Sequence, residues 1–73
     1  MKKEELLKLG FKDMSFNFPN GRDFEKLQFE INNYKLIEFY GNSVVNICIE
    51  NEWVNVPNCK TIDDMKNLIK LFS

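Results

Sequence analysis

Few groups in this sequence could do covalent chemistry. There are two cysteines, Cys48 and Cys59, eleven carboxylates and no histidine. Without an imidazole there is no ordinary general base, no histidine metal ligand and no Ser-His or Cys-His pair. Cys59 precedes Lys60 and Thr61, so it stands at the start of an expected helix. A helix N-terminus and a neighbouring cation both lower a thiol pKa, which makes Cys59 the one nucleophile candidate. Its plain structural alternative is a small packed residue, and that alternative is favoured, because no partner base accompanies it. The two cysteines are isolated, without a C-x-x-C, which argues against zinc, and they are expected as free thiols rather than as a disulfide. Asp63 and Asp64 are adjacent, so on a helix their side chains diverge, and capping explains them better than catalysis. Neither G-x-G-x-x-G nor G-x-x-x-x-G-K-[ST] is present. These absences lead to an expectation of no enzyme, no cofactor and no metal.

The elements that would position any site are clearer. "KKEELLKLGF" reads as a short helix with Glu4 and Glu5 in its first turn. If Gly10 is the C′ residue, Leu6 and Phe11 form the apolar pair of a Schellman ending. "SFNF" reads as a short edge strand and "FPNG" as a turn, followed by a strand near residues 24–31. In that strand Leu27, Phe29 and Ile31 share one face, and Lys26, Gln28 and Glu30 the other. A three-residue "NNY" loop leads into 35–40 and pairs Phe29 with Ile37 and Leu27 with Phe39. A one-residue slip would exchange the faces and bring Glu38 onto the core side. "GNS" at 41–43 turns the chain into a strand at 44–50. Asn51-Glu52 is then read as a two-residue hairpin turn pairing Ile49 with Val54, Ile47 with Val56 and Glu50 with Trp53. "KTIDDMKNLIKLF" is the clearest helix, with Thr61 as N-cap, Asp64 at N3 and a stripe of Ile62, Met65, Leu68, Ile69 and Phe72. The expected fold is α+β: a short N-terminal helix, an antiparallel meander of four to five strands, and a C-terminal amphipathic helix on one sheet face.

Composition bounds the function classes. Seventy-three residues fit one small domain spanning 1–73. With 44% hydrophobic residues and seven Phe, the chain can build a core without staples and is not of disordered composition. The net charge of −1 is unlike that of a non-specific nucleic-acid binder. The charge is unevenly spread: residues 23–56 carry six acids against Lys26 and Lys35. "FNF" has the look of a base-stacking platform, but it lacks interleaved basic residues, and core packing is the favoured reading. No direct nucleic-acid binding is expected. The N-terminus has no apolar signal-peptide region and no run is long enough to span a membrane, so a cytoplasmic location is the expectation. The richness in Asn, Lys, Ile and Phe points to an AT-rich genome of the kind common among phages and mobile elements.

The strongest positive feature is the outer sheet face. Trp53, Tyr40 and Leu36 would lie there among Glu30, Glu38 and Glu50. Large apolar anchors inside a polar rim make a protein interface, and an acidic face would steer towards a basic partner surface. The expected function is therefore a small non-enzymatic protein-binding module, such as a phage or mobile-element inhibitor of a host protein. The alternative is a self-associating structural module, a homodimer through the same face; a minimal thiol or carboxylate enzyme ranks third. The bland alternative for each residue is cross-strand packing that needs no partner.

Overall fold

The computed structural model describes residues 1–41 and 43–73. Of the expected 41–43 turn, Asn42 lies outside the described residues. The elements run α1 (Lys3–Leu9), β1 (Lys12–Asp13), β2 (Phe16–Asn17), β3 (Asp23–Phe24), β4 (Lys26–Asn32), β5 (Lys35–Tyr40), β6 (Val45–Ile49), β7 (Glu52–Asn55) and α2 (Ile62–Phe72). An antiparallel five-stranded sheet has the order β1-β4-β5-β6-β7, and β2 and β3 form a separate ribbon. The fold is α+β, as the periodicities predict.

Both helices end as their sequences require. The Gly10 N–H donates to the Leu7 carbonyl and the Phe11 N–H to the Leu6 carbonyl. With Gly10 at φ 112, this is a Schellman ending. At α2 the Thr61 hydroxyl accepts from the Asp64 N–H at 3.1 Å. The Asp64 carboxylate accepts in return from the N–H groups of Lys60 and Thr61. That reciprocal cap satisfies the N–H groups of Thr61 and Asp64 at the start of the helix and holds the Asp64 carboxyl below the usual carboxylate range.

One face of the sheet is covered. Leu27, Ile37, Phe39, Val45 and Ile47 form a single buried cluster with Leu6, Phe11, Cys59 and Met65 from the N-terminal and helical layer. Burying a side chain of this size is worth about 1.5–3 kcal/mol, and the helices, too short to stand alone, depend on it.

The β4–β5 register is the expected one, with Leu27 opposite Phe39 and Phe29 opposite Ile37. It shifts between Glu30 and Asn32, where Asn32 pairs with Lys35. Ile31 is thus a bulge and the turn itself is Asn33-Tyr34, tightened by the Asn32 side chain accepting from the Tyr34 N–H.

Three expectations are corrected. The strand read at 24–31 is two strands broken at Glu25. Its first part pairs with Phe16–Asn17 in the ribbon, and its second pairs with β1 and β5. The break is stabilised because the Ser15 hydroxyl accepts the Lys26 N–H and the Glu25 carbonyl accepts from Gly41. The β6–β7 turn is Glu50-Asn51, one residue earlier than expected, so Ile47 faces Val54 and Cys48 faces Trp53. Both turn residues have positive φ, 52° and 69°, the geometry whose twist matches a two-residue hairpin. The Glu50 N–H donates to the Tyr34 carbonyl, one further rung of the β5–β6 ladder, and the turn begins at that residue. The pairing of Val54 with Ile49 and of Val56 with Ile47 is thereby replaced. Val56 still packs against the core cluster, whereas Val54 is 52% exposed on an edge strand beyond the helical layer. Finally, Phe16 and Phe18 are not core residues; both are exposed.

Candidate functional site

The sheet face away from the helices is built from cross-strand rows. One row runs Glu30, Leu36, Cys48, Trp53 across β4 to β7. The next runs Gln28, Glu38, Asn46, Asn55, with Lys12 of β1 beside Gln28. Lys26 and Tyr40 make the last pair. Five of the six site residues predicted from sequence, Glu30, Leu36, Glu38, Tyr40 and Trp53, thus lie on this face as strand residues. Glu50 stands at its margin, exposed in the β6–β7 turn.

The rows also separate them. Leu36 and Trp53 flank Cys48, which is buried although no helix covers this side. Its two neighbours must shelter it. Trp53 stands directly opposite Cys48 on the neighbouring strand, yet it remains 54% exposed. Tyr40 is four residues along β5 from Leu36 and two strands from Trp53, roughly 16 Å away at ordinary strand spacings. The structure does not bring Tyr40 and Trp53 together.

Glu38 differs most from expectation. It is 2% exposed and stands inside a network. The Lys26 ammonium pairs with one carboxylate oxygen, and the Tyr40 hydroxyl donates to the other at 2.6 Å. A carboxylate neutralised and enclosed in this way is not a free steering charge. Its effect is to hold Lys26 and Tyr40 in place across the sheet. Because the phenol donates a hydrogen bond to the Glu38 carboxylate, and because Tyr40 is partly buried, the Tyr40 pKa is pushed up to about 12.

Tyr40 instead joins an aromatic group with Phe24, Phe16 and Phe18, the last two of which the sequence predicts to be core residues. Its ring lies 5.8 Å from Phe24, edge-on, and Phe24 lies 5.0 Å from Phe16. Phe18 completes the set, 5.0 Å from Phe16. These spacings are those of favourable aromatic pairs. A cleft of about 620 Å³ opens beside them between Phe24 and Glu25 on one side and Tyr40, Val44 and Asn46 on the other. Asp23 also lines it. The sequence signal was present in Phe16 and Phe18 flanking the Pro19-Asn20 turn; a ribbon so short cannot carry its tip into the central core.

The thiol candidate has the opposite of an activated environment. Cys59 is buried in the central cluster. Burial, and next the nearby Asp64 carboxylate, push its thiol pKa up. Both cysteines are free and buried. Asp63 and Asp64 lie in the first turn of α2, and Asp64 is consumed by capping. Among the described residues no group of three or more His, Cys, Asp or Glu is placed to hold a metal ion, and no helix is long and apolar enough to cross a membrane.

Comparison with known proteins finds no matching family, no matching curated protein and no matching solved structure.

Proposed function

We propose that this chain is a small non-enzymatic protein-binding module that docks on a partner protein through its outer sheet face. The observation that carries the reading is Trp53, the single tryptophan, held on an edge strand with more than half its surface in solvent. Leu36 lies two strands in from it, and the exposed Phe16 and Phe18 form a second group at the other end with the half-buried Tyr40. Aromatic anchors surrounded by polar residues are the usual energetic centres of interfaces. The charges favour a basic partner: Asp23 and Glu25 stand near one end of the face and Glu30 and Glu50 at the other, with Glu52 close by on the opposite side of β7. No Lys or Arg occurs between residues 36 and 59. Small size, an acidic docking face and a composition rich in Asn and Lys fit a phage or mobile-element inhibitor that occupies a basic surface of a host protein.

The test is the affinity for a partner recovered from the native host, measured with Trp53→Ala. A hot-spot anchor is worth about 2 kcal/mol or more, about thirtyfold in Kd. Unchanged affinity in a folded variant removes the reading. Self-association is the second reading and draws on one observation, that β7, paired with β6 on one side, has no strand on its other side among the described residues. Sedimentation as a monomer at all micromolar concentrations counts against it.

A further inference from the structure

The ladder between β6 and β7 determines which backbone groups remain free. The Val56 N–H donates to the Val45 carbonyl, so Val56, Val54 and Glu52 direct their backbone groups towards β6. Antiparallel ladders alternate. Trp53 and Asn55 therefore direct their N–H and C=O groups outwards, where β7 ends the sheet. The Asn55 side chain leaves that edge clear, because its amide is turned back to the Val45 carbonyl and the Asn46 side chain. Natural edge strands are guarded by lysines, prolines or bulges. β7 has none of these: its sequence is EWVN and its register with β6 is unbroken.

We propose that the free edge of β7 receives an extended segment of the partner protein as a sixth strand, and that this segment is basic. The inference rests on the protein-binding reading above and specifies how the partner is held. An added strand continues both faces of the sheet. On the outer face its side chains lie beside Trp53 and find an apolar neighbour. On the other face they lie beside Glu52 and the exposed Val54, with Glu50 at the adjoining turn. A segment alternating apolar and basic residues matches both faces, with the main-chain bonds of Trp53 and Asn55 supplying the register. A second copy of this chain would instead bring further copies of Glu50 and Glu52 to the same edge, which charge disfavours.

The probe is a six-residue peptide of alternating lysine and valine, titrated against the whole protein and followed by Trp53 fluorescence. A glutamate–valine peptide and a lysine–valine peptide with alternate backbone nitrogens methylated serve as controls. The lysine–valine peptide is expected to bind saturably and at least tenfold tighter than either control. Asn55→Pro removes an outward N–H that makes no ladder bond; it is expected to weaken binding at least tenfold, while Asn55→Ala, which keeps that N–H, stays within threefold. No saturable binding, or equal binding of the methylated or the glutamate peptide, overturns the inference. If Asn55→Pro fails to fold by circular dichroism, the methylated peptide on the unaltered protein decides alone. A dimer that Asn55→Pro converts to monomer also overturns it, because a second copy then occupies the edge. A partner released by Trp53→Ala but retained by Asn55→Pro defeats the edge inference alone. The peptide held at the edge, with a partner indifferent to Trp53→Ala, defeats the docking-face reading alone.

Discussion

The Glu38 network makes an asymmetric prediction. Glu38 is almost wholly enclosed, whereas the side chain of Lys26 keeps 28% of its exposure. Lys26→Met leaves a buried carboxylate with only the Tyr40 hydroxyl for support. Breaking a buried pair in this direction costs about 3–5 kcal/mol, and the remaining Tyr40 bond places the expected loss near 3 kcal/mol. Glu38→Gln removes the buried charge itself, and Lys26 can turn its ammonium to water. What is lost is the charged character of two hydrogen bonds, offset by the desolvation no longer required, so about 1 kcal/mol is expected. A chain of this length has about 4–11 kcal/mol of total stability, so both changes are measurable. Urea unfolding followed by circular dichroism gives the two values, and the double variant gives their coupling. Equal losses in the two single variants, or a loss below about 0.5 kcal/mol in Lys26→Met, would refute the reasoning that Glu38 is a buried, compensated charge.

Three further outcomes follow from named groups. In Tyr34→Phe, which leaves Tyr40 as the sole tyrosine, phenolate absorbance should titrate near pH 12, and adding Glu38→Gln should lower that midpoint towards the ordinary phenol value. The folded pKa is raised, so the stabilisation is complete below about pH 10 and is lost as the pH rises towards 12; in Tyr40→Phe this loss should disappear from alkaline unfolding curves. Gly10→Ala should cost about 1–2 kcal/mol in thermal unfolding, since φ is 112° and a Cβ would meet the Phe29 ring at 3.2 Å. A thiol reagent at pH 8 should label Cys59 in the folded protein far more slowly than in urea; equal rates would contradict its burial.

The legible parts of this fold are those decided by near neighbours. Thr61 with Asp64, and Gly10 with Leu6 and Phe11, are contacts within a few residues, and both caps form as their sequences predict. The β4–β5 register was legible because only one parity puts Leu27, Phe29, Ile37 and Phe39 on the same face. The β6–β7 hairpin shows where that logic stops. Moving the turn from Asn51-Glu52 to Glu50-Asn51 changes the pairing by two positions, which leaves every side chain on its original face. Hydrophobic pattern is blind to such a shift; it is the positive φ at Glu50 and Asn51 that marks the turn, and the alternation does not encode that. β1 is two polar residues without a period, and only its pairing with Gln28 and Leu27 makes it a strand. For the candidate site, the face of Glu38 was legible and its burial was not. Enclosure comes from Lys26 on the neighbouring strand and from Tyr40 at the end of its own, a contact set that spacing alone does not reveal. The same holds for Phe16 and Phe18, whose shared side is evident in the alternation while the layer they join is set by Phe24 and Tyr40.

The central claim is that the outer sheet face meets a protein partner. Hydrogen–deuterium exchange on the complex with the host partner tests it most directly. Docking through this face gives new protection across β7, with Trp53 and Asn55 amides slowed most, and no new protection along α1 or α2. Protection confined to the helical layer, with β7 exchanging as in the free protein, would contradict it.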